Sequence, residues 1–247
     1  MGRLTEAIKH LIILNVILFA ASSLLPGINL GNWLALYFPK NDHFGVWQFV
    51  SHMFMHGSLM HIIFNMYALW AFGSPLEQMW GRNKFLFFYF STGLGAAFIY
   101  TAVNYFQFNS VYKELINLGM QTGEIQNLLD TGRYNSDILT QITEKRLVNF
   151  YQVYNTPAVG ASGAIYGVLV AFGMSFPNAK LALIFFPVPI SAKYFIPVLI
   201  GLDLFSGVTG FSIFGGGGIA HFAHVGGAII GFIMMQYWKR NQFNRWN

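Results

Sequence analysis

Six apolar runs, about Ile8 to Leu25, Met60 to Leu76, Lys84 to Phe106, Ala161 to Phe176, Tyr194 to Thr209 and Phe222 to Tyr237, are separated by stretches that hold most of the charge. That pattern constrains the fold more than any other feature. Hydrocarbon offers no partner to backbone N–H and C=O groups, and a helix satisfies them within one segment. The expected fold class is therefore an all-α membrane protein with six transmembrane helices. Several runs fall short of the roughly 20 residues that cross a bilayer. Recessed short helices around a water-accessible cavity are expected to result.

Composition supports the bilayer. Of 247 residues, 55% are hydrophobic and 9% charged, with a mean hydropathy of +0.48. The chain has no cysteine, which removes disulfides, thiolate metal sites and a cysteine nucleophile. The net charge of +5 is not a nucleic-acid signal, because the basic residues sit mainly beside apolar runs, where they set topology. With the N-terminus inside, the inner set is Arg3, Lys9, Arg82, Lys84, Lys180, Lys193, Lys239, Arg240 and Arg245, against Lys40, Lys113, Arg133, Lys145 and Arg146 outside. Both termini are expected in the cytoplasm of a bacterial inner-membrane protein, with the start of the fourth run facing out. Arg3 and Lys9 precede the first run as in a signal peptide, but "PGINLGN" lacks a small-x-small cleavage site, and the run is expected to be a retained span.

Residues 1–247 are expected to form a single membrane domain with a polar insert, 107–155, outside the membrane. The insert carries four of the 14 basic and five of the nine acidic residues. Apolar spacing at Val111, Leu115 and Leu118, and at Ile138, Ile142 and Leu147, predicts two or three amphipathic helices there. The "GGGG" at Gly215 to Gly218 is expected in a mobile outer flap between spans five and six.

Polar groups inside the apolar runs point to chemistry. Ser162, between Gly160 and Gly163, opens the fourth run, where glycines permit a sharp turn and a helix N-terminus offers free N–H groups to a developing oxyanion. Gly163 to Gly167 is also an ordinary small-xxx-small packing pattern. In "GIAHFAHVGGAIIGF" two histidines, His221 and His224, open the last run and precede Gly227 and Gly231. These glycines would let that helix press on the Gly163/Gly167 face, so a serine and a histidine can meet. His224, Ala228 and Gly231 share one small-residue face, which favours His224 as base over His221.

His61 and Asn65 lie at i and i+4 on the second run, where donors could hold an oxyanion, or a polar pair could simply join helices. His52, His56 and His61 crowd one region, but the spacing lacks a His-Glu-x-x-His pattern and no glutamate lies among them, so no metal is expected. Asp203 is an acid inside a span. It could orient a histidine, but it fits a cavity-lining or interhelical role as well and is left outside the dyad.

Together "HIIFN", "EQMWGRNKFLFFYFSTG", "GASGAIYG" and "AHFAHVGG" resemble the rhomboid family of intramembrane serine proteases, in order and span position, over about residues 45 to 238 apart from the insert. The resemblance implies a rhomboid bundle with Ser162 as nucleophile and His224 as base. It makes His61 and Asn65 oxyanion donors beside the Ser162 N–H, and has Tyr166 packing on the catalytic histidine. No cofactor is implied. The implied partners are transmembrane protein substrates in a lipid bilayer, cut near their outer ends at a small residue. Trp47-Gln48 stands where many members have Trp-Arg, which touches a lipid-facing contact of the first outer loop, and the insert is longer than the usual connection. A non-catalytic relative that binds transmembrane clients is the alternative, although such relatives typically lose the serine or the histidine. A channel would need a polar stripe through several spans, whereas the polar residues here converge at one depth.

Overall fold

In a computed structural model the chain is mostly helical, and residues 3–183, 186–211 and 221–243 are described. The principal helices are α1 (Glu6–Leu24), α2 (Leu30–Leu34), α3 (Gln48–Ser51), α4 (Leu59–Ala68), α5 (Ser74–Trp80), α6 (Arg82–Asn117), α7 (Thr122–Thr131), α8 (Glu144–Asn155), α9 (Ser162–Ser175), α10 (Ala192–Thr209) and α11 (His221–Phe243). A π-helical turn, Leu69–Gly73, joins α4 to α5 as one rod, Leu59–Trp80. Pro75 follows it and has no N–H for the preceding turn, which favours the wider pitch there.

Among the described residues, α1, the α4–α5 rod, α6 and α10 are long and apolar enough to cross a membrane, while α9 is apolar but only 14 residues long. α1 and α10 turn Ile13, Val16, Ile17, Val198, Leu204, Phe205 and Val208 outward, exposed. Apolar faces of that extent mark a lipid-facing protein.

α9 lies at the centre of the main core, where Ala164, Ile165, Val168 and Ala171 pack with Met53, Leu69, Phe88 and Tyr89. α11 crosses α9 at backbone contact. A Cβ on Gly227 would stand 1.8 Å from the Gly163 carbonyl oxygen, and one on Gly231 2.7 Å from the Gly167 Cα. The spacing of these four glycines anticipates this approach, which places the start of α9 beside the start of α11. α1 is fixed by Glu77 of α5, a buried carboxylate that accepts from the Ala7 N–H (2.8 Å), the Ile8 N–H (3.1 Å) and the Thr5 hydroxyl. An anion there satisfies orphan donors and complements the helix dipole.

Three features depart from the sequence-based expectation. α6 does not stop at the edge of the insert but runs to Asn117, 36 residues and about 54 Å at 1.5 Å per residue. No proline interrupts it, and its far end gains its own apolar partners. Phe108 and Leu115 join Ile125, Leu128, Leu129, Leu147 and Phe150 of α7 and α8 in a second core. The chain is also not wholly helical, since Lys180–Leu183 and Phe186–Ser191 pair antiparallel, with Lys180 opposite Ser191 and Leu181 opposite Ile190. An apolar stretch that short does not separate strand from helix by periodicity. Finally, Gln48 is fully buried. It accepts from the Tyr37 N–H (3.0 Å) and donates to the His43 carbonyl (2.7 Å), while Trp47 is the exposed neighbour. The residue standing in place of arginine thus ties the first loop together. The expected Gly215–Gly218 flap lies outside the described residues.

Candidate active site

Three pieces of chain meet where α9 begins. The segment entering α9 is held from the first loop. Leu36 and Ala158 exchange backbone hydrogen bonds of 2.9 and 2.8 Å, and the Gly160 N–H donates to the His52 carbonyl at 2.9 Å. Gly160 has φ +121°, a conformation side chains rarely adopt, and its missing side chain leaves room for His61. A Cβ on Gly160 would lie 2.8 Å from His61 Nε2 and 3.6 Å from Ser162 Oγ. His61, from the first turn of α4, therefore stands beside the serine.

Ser162 is the first residue of α9, where backbone N–H groups have no intrahelical acceptor. Its Oγ lies 2.8 Å from His224 Nε2, across the glycine contact between α9 and α11. One turn along α9, the Tyr166 ring stacks on His224 with centroids 4.3 Å apart and planes 8° from parallel. Ser162, His224, Tyr166, His61, Gly160 and Gly163 are all brought together. Asn65 is buried nearby, but its Nδ2 donates to the His61 carbonyl at 2.9 Å and not toward the serine.

The sequence reading misses the place of Asp203. From α10 it reaches the centre of the site, where it accepts from the Tyr166 hydroxyl and lies 2.5 Å from His221 Nδ1. Its Oδ2 is 3.3 Å from His224 Nδ1, at ion-pair distance but without hydrogen-bond alignment. An acid within an apolar run was the available signal; sequence spacing could not say which histidine it would face. His221 turns to Asp203 and not to Ser162.

His52 and His56 lie in the first loop. His52 is buried and its ring Nδ1 donates to the Gln48 carbonyl at 2.8 Å. Desolvation pushes its pKa down to about 4 and does the same for His56, where the neighbouring His61 adds to the effect. Both are neutral at pH 7. His56 packs edge-on to His61, ring centroids 4.9 Å apart, and its two ring nitrogens have no partner among the described residues.

These features define a helical membrane protein carrying a serine–histidine pair at the joint of two glycine-packed helices. The Rhomboid domain family matches residues 43–111 and 132–241, and the chain belongs to that family. It is 30% identical over 195 residues to the presenilin-associated rhomboid-like protein A, mitochondrial, of Danio rerio, covering 76% of this chain and 38% of that protein. It is 27% identical over 201 residues to rhomboid protease AarA of Providencia stuartii, covering 76% and 54%. A shorter stretch of 71 residues is 38% identical to rhomboid protease GlpG of Salmonella paratyphi A, covering 29% and 26%. Each match spans about half or less of the relative's length.

Proposed function

We propose that the protein is an intramembrane serine endopeptidase that cuts transmembrane helices. The observation carrying this is the 2.8 Å approach of Ser162 Oγ to His224 Nε2 at a helix N-terminus. In this mechanism His224 Nε2 takes the Ser162 proton as Oγ attacks a peptide carbonyl. The imidazolium then returns that proton to the departing amine, and water hydrolyses the acyl-enzyme with the same histidine as base. The tetrahedral oxyanion forms next to the Ser162 N–H and the His61 ring, with Asn65 joining through an N–H that its bond to the His61 carbonyl does not use. No step needs a metal or cofactor.

The α4–α5 rod, α9 and α11 make six spans with α1, α6 and α10. Both termini face the cytoplasm of a bacterial inner membrane, and the cavity above Ser162 opens outward to admit water. The helical insert, 107–155, then lies on the outer side. What supports this reading is the balance of basic residues flanking the apolar runs and the 14-residue length of α9, less than a bilayer's hydrocarbon needs. Substrates are single transmembrane helices entering from the bilayer and cut near their outer ends, in keeping with two relatives named as rhomboid proteases.

A fluorophosphonate probe tests this directly. The purified protein is expected to label at Ser162. Ser162→Ala and His224→Ala should lose both labelling and cleavage of a model transmembrane substrate, while His221→Ala keeps a measurable part of each. A folded protein that takes no label, yet still captures transmembrane clients, would instead be the non-catalytic binder.

A further inference from the structure

Asp203 is an acid in a span, 5% exposed, and an isolated carboxylate so placed would be costly. Three side chains from two other helices surround it. His221 Nδ1 of α11 lies 2.5 Å from one oxygen; the other accepts from the Tyr166 hydroxyl of α9 and lies 3.3 Å from His224 Nδ1 of α11. Two ligands in a tetrahedral zinc shell would stand roughly 3.3 Å apart. The 2.5 Å separation is that of a hydrogen bond, and the group is a hydrogen-bonded cluster, not a metal cage.

Building on the proposed serine protease chemistry, we propose that Asp203 is a positioning residue for the Ser162–His224 pair, acting on the base through His224 Nδ1 and through the ring of Tyr166. For His224 Nε2 to accept the serine proton, the neutral ring must carry its hydrogen on Nδ1. Among the described residues that nitrogen is buried without an aligned acceptor, and Asp203 Oδ2 is the carboxylate oxygen that faces it. Asp203 selects the tautomer by offering Nδ1–H an anionic acceptor on that side of the ring. As the proton leaves Ser162 Oγ for Nε2, the imidazole becomes a cation 3.3 Å from the carboxylate. Asp203 stays ionised and takes no proton, so the attraction grows only as the charge develops and favours the transition state. Resting-state alignment need not be ideal, since such contacts tighten once substrate is bound.

Tyr166 makes the arrangement two-sided. Its ring lies flat on His224 and its hydroxyl is anchored on Asp203, so one carboxylate fixes both the edge and the face of the imidazole. His221 holds the remaining oxygen and keeps the carboxylate from rotating.

The test is the rate and final extent of fluorophosphonate labelling on the full chain in detergent, with thermal unfolding measured alongside. Asp203→Asn, nearly equal in size, should label to full stoichiometry but about 10- to 100-fold more slowly, less than the roughly 10,000-fold that the same change costs a fully aligned triad. Asp203→Glu should recover part of that rate. Tyr166→Phe keeps the ring and removes the donor. It should slow labelling several-fold in the unaltered background and have a smaller effect beside Asp203→Asn, whose amide oxygen is a weaker, uncharged acceptor. On a transmembrane substrate kcat should fall while KM holds. Labelling of Asp203→Asn at the unaltered rate and extent would overturn the proposal. So would loss of stoichiometry and of a cooperative melt in all three variants, which would make Asp203 a structural anchor. If the unaltered protein takes no probe, it is the serine protease reading that fails.

Discussion

The rings of Tyr166 and His224 lie face to face, 4.3 Å between centroids and 8° from parallel, where their helices close on each other through glycine. A flat partner on one face removes the ring rotation by which an imidazole would swing away from Ser162. Aromatic pairs are worth about 0.5–1.5 kcal/mol beyond area burial. Tyr166→Leu, which keeps bulk without a plane, should therefore slow Ser162 labelling at least about 2- to 12-fold. It also removes the hydroxyl on Asp203, so the slowing should exceed that of Tyr166→Phe. Equal rates for the two variants would show that the stack contributes nothing.

Gly227 tests the joint between α9 and α11. A Cβ there would fall 1.8 Å from the Gly163 carbonyl oxygen, and that carbonyl cannot move without moving Ser162. Gly227→Ala should push the helices apart, lengthen the 2.8 Å Ser162–His224 contact and abolish labelling. Gly81→Ala is an instructive contrast, because that glycine has open space around it and fails only by its φ of +81°. It should lower the melting temperature and leave the labelling rate per folded molecule unchanged. A Gly227→Ala protein labelling as fast as the unaltered one would exclude the close approach.

Much of this joint is legible in the sequence because packing and spacing state the same thing twice. Gly163/Gly167 and Gly227/Gly231 repeat at one helical turn, and each pair sits within a turn of a polar residue facing the same way. The run of α6 past Phe106 was not legible. Polar residues at 107, 109 and 110 look like a helix end, and the partners that carry the helix on, Phe38, Phe150 and Tyr154 among them, are distant in sequence. Asp203 shows the same limit more sharply. Its burial partners come from α9 and α11, and no local pattern distinguishes an acid that orients a histidine from one that lines a cavity.

His61 and Asn65 are expected to differ in weight. The His61 ring is next to Gly160 and Ser162, whereas the Asn65 amide already gives one of its two N–H groups to a carbonyl of its own helix. Removing one oxyanion donor costs about 100- to 1,000-fold in kcat where the donor is fully engaged. His61→Ala should approach that loss and Asn65→Ala fall below it, with probe labelling of Ser162 surviving better than turnover in both. Equal losses would mean that an Asn65 N–H donates as fully as His61 in the transition state.

The insert has a core of its own, so damage there should stay there. Phe150 is 2% exposed and stacks on Phe108 at 4.5 Å. Phe150→Ala should cost about 3–5 kcal/mol of local stability. Hydrogen exchange should then rise across α7 and α8 while Ser162 still labels to full stoichiometry. The first loop is the route by which damage could spread. Phe38 packs on Phe108, and the Tyr154 hydroxyl donates to the Lys40 carbonyl at 3.1 Å. If stoichiometry falls with the insert, that contact is part of the site's support.

Acid should loosen the first loop through His52. Burial lowers its pKa from the ordinary 6.5 to about 4, so the folded chain prefers the neutral ring, which donates Nδ1–H to the Gln48 carbonyl. Between those two values the unfolded chain binds more protons than the folded one, and stability falls as pH falls from 6.5 toward 4. At pH 5 the loss from His52 is on the order of 2 kcal/mol. His56, depressed to about 4 as well, should add to it over the same window. The consequence reaches the site because the His52 carbonyl anchors Gly160, two residues before the serine. Melting temperature should therefore drop between pH 7 and pH 5, and His52→Asn should flatten that slope while lowering stability at pH 7. A slope unchanged by the substitution would place the acid sensitivity elsewhere.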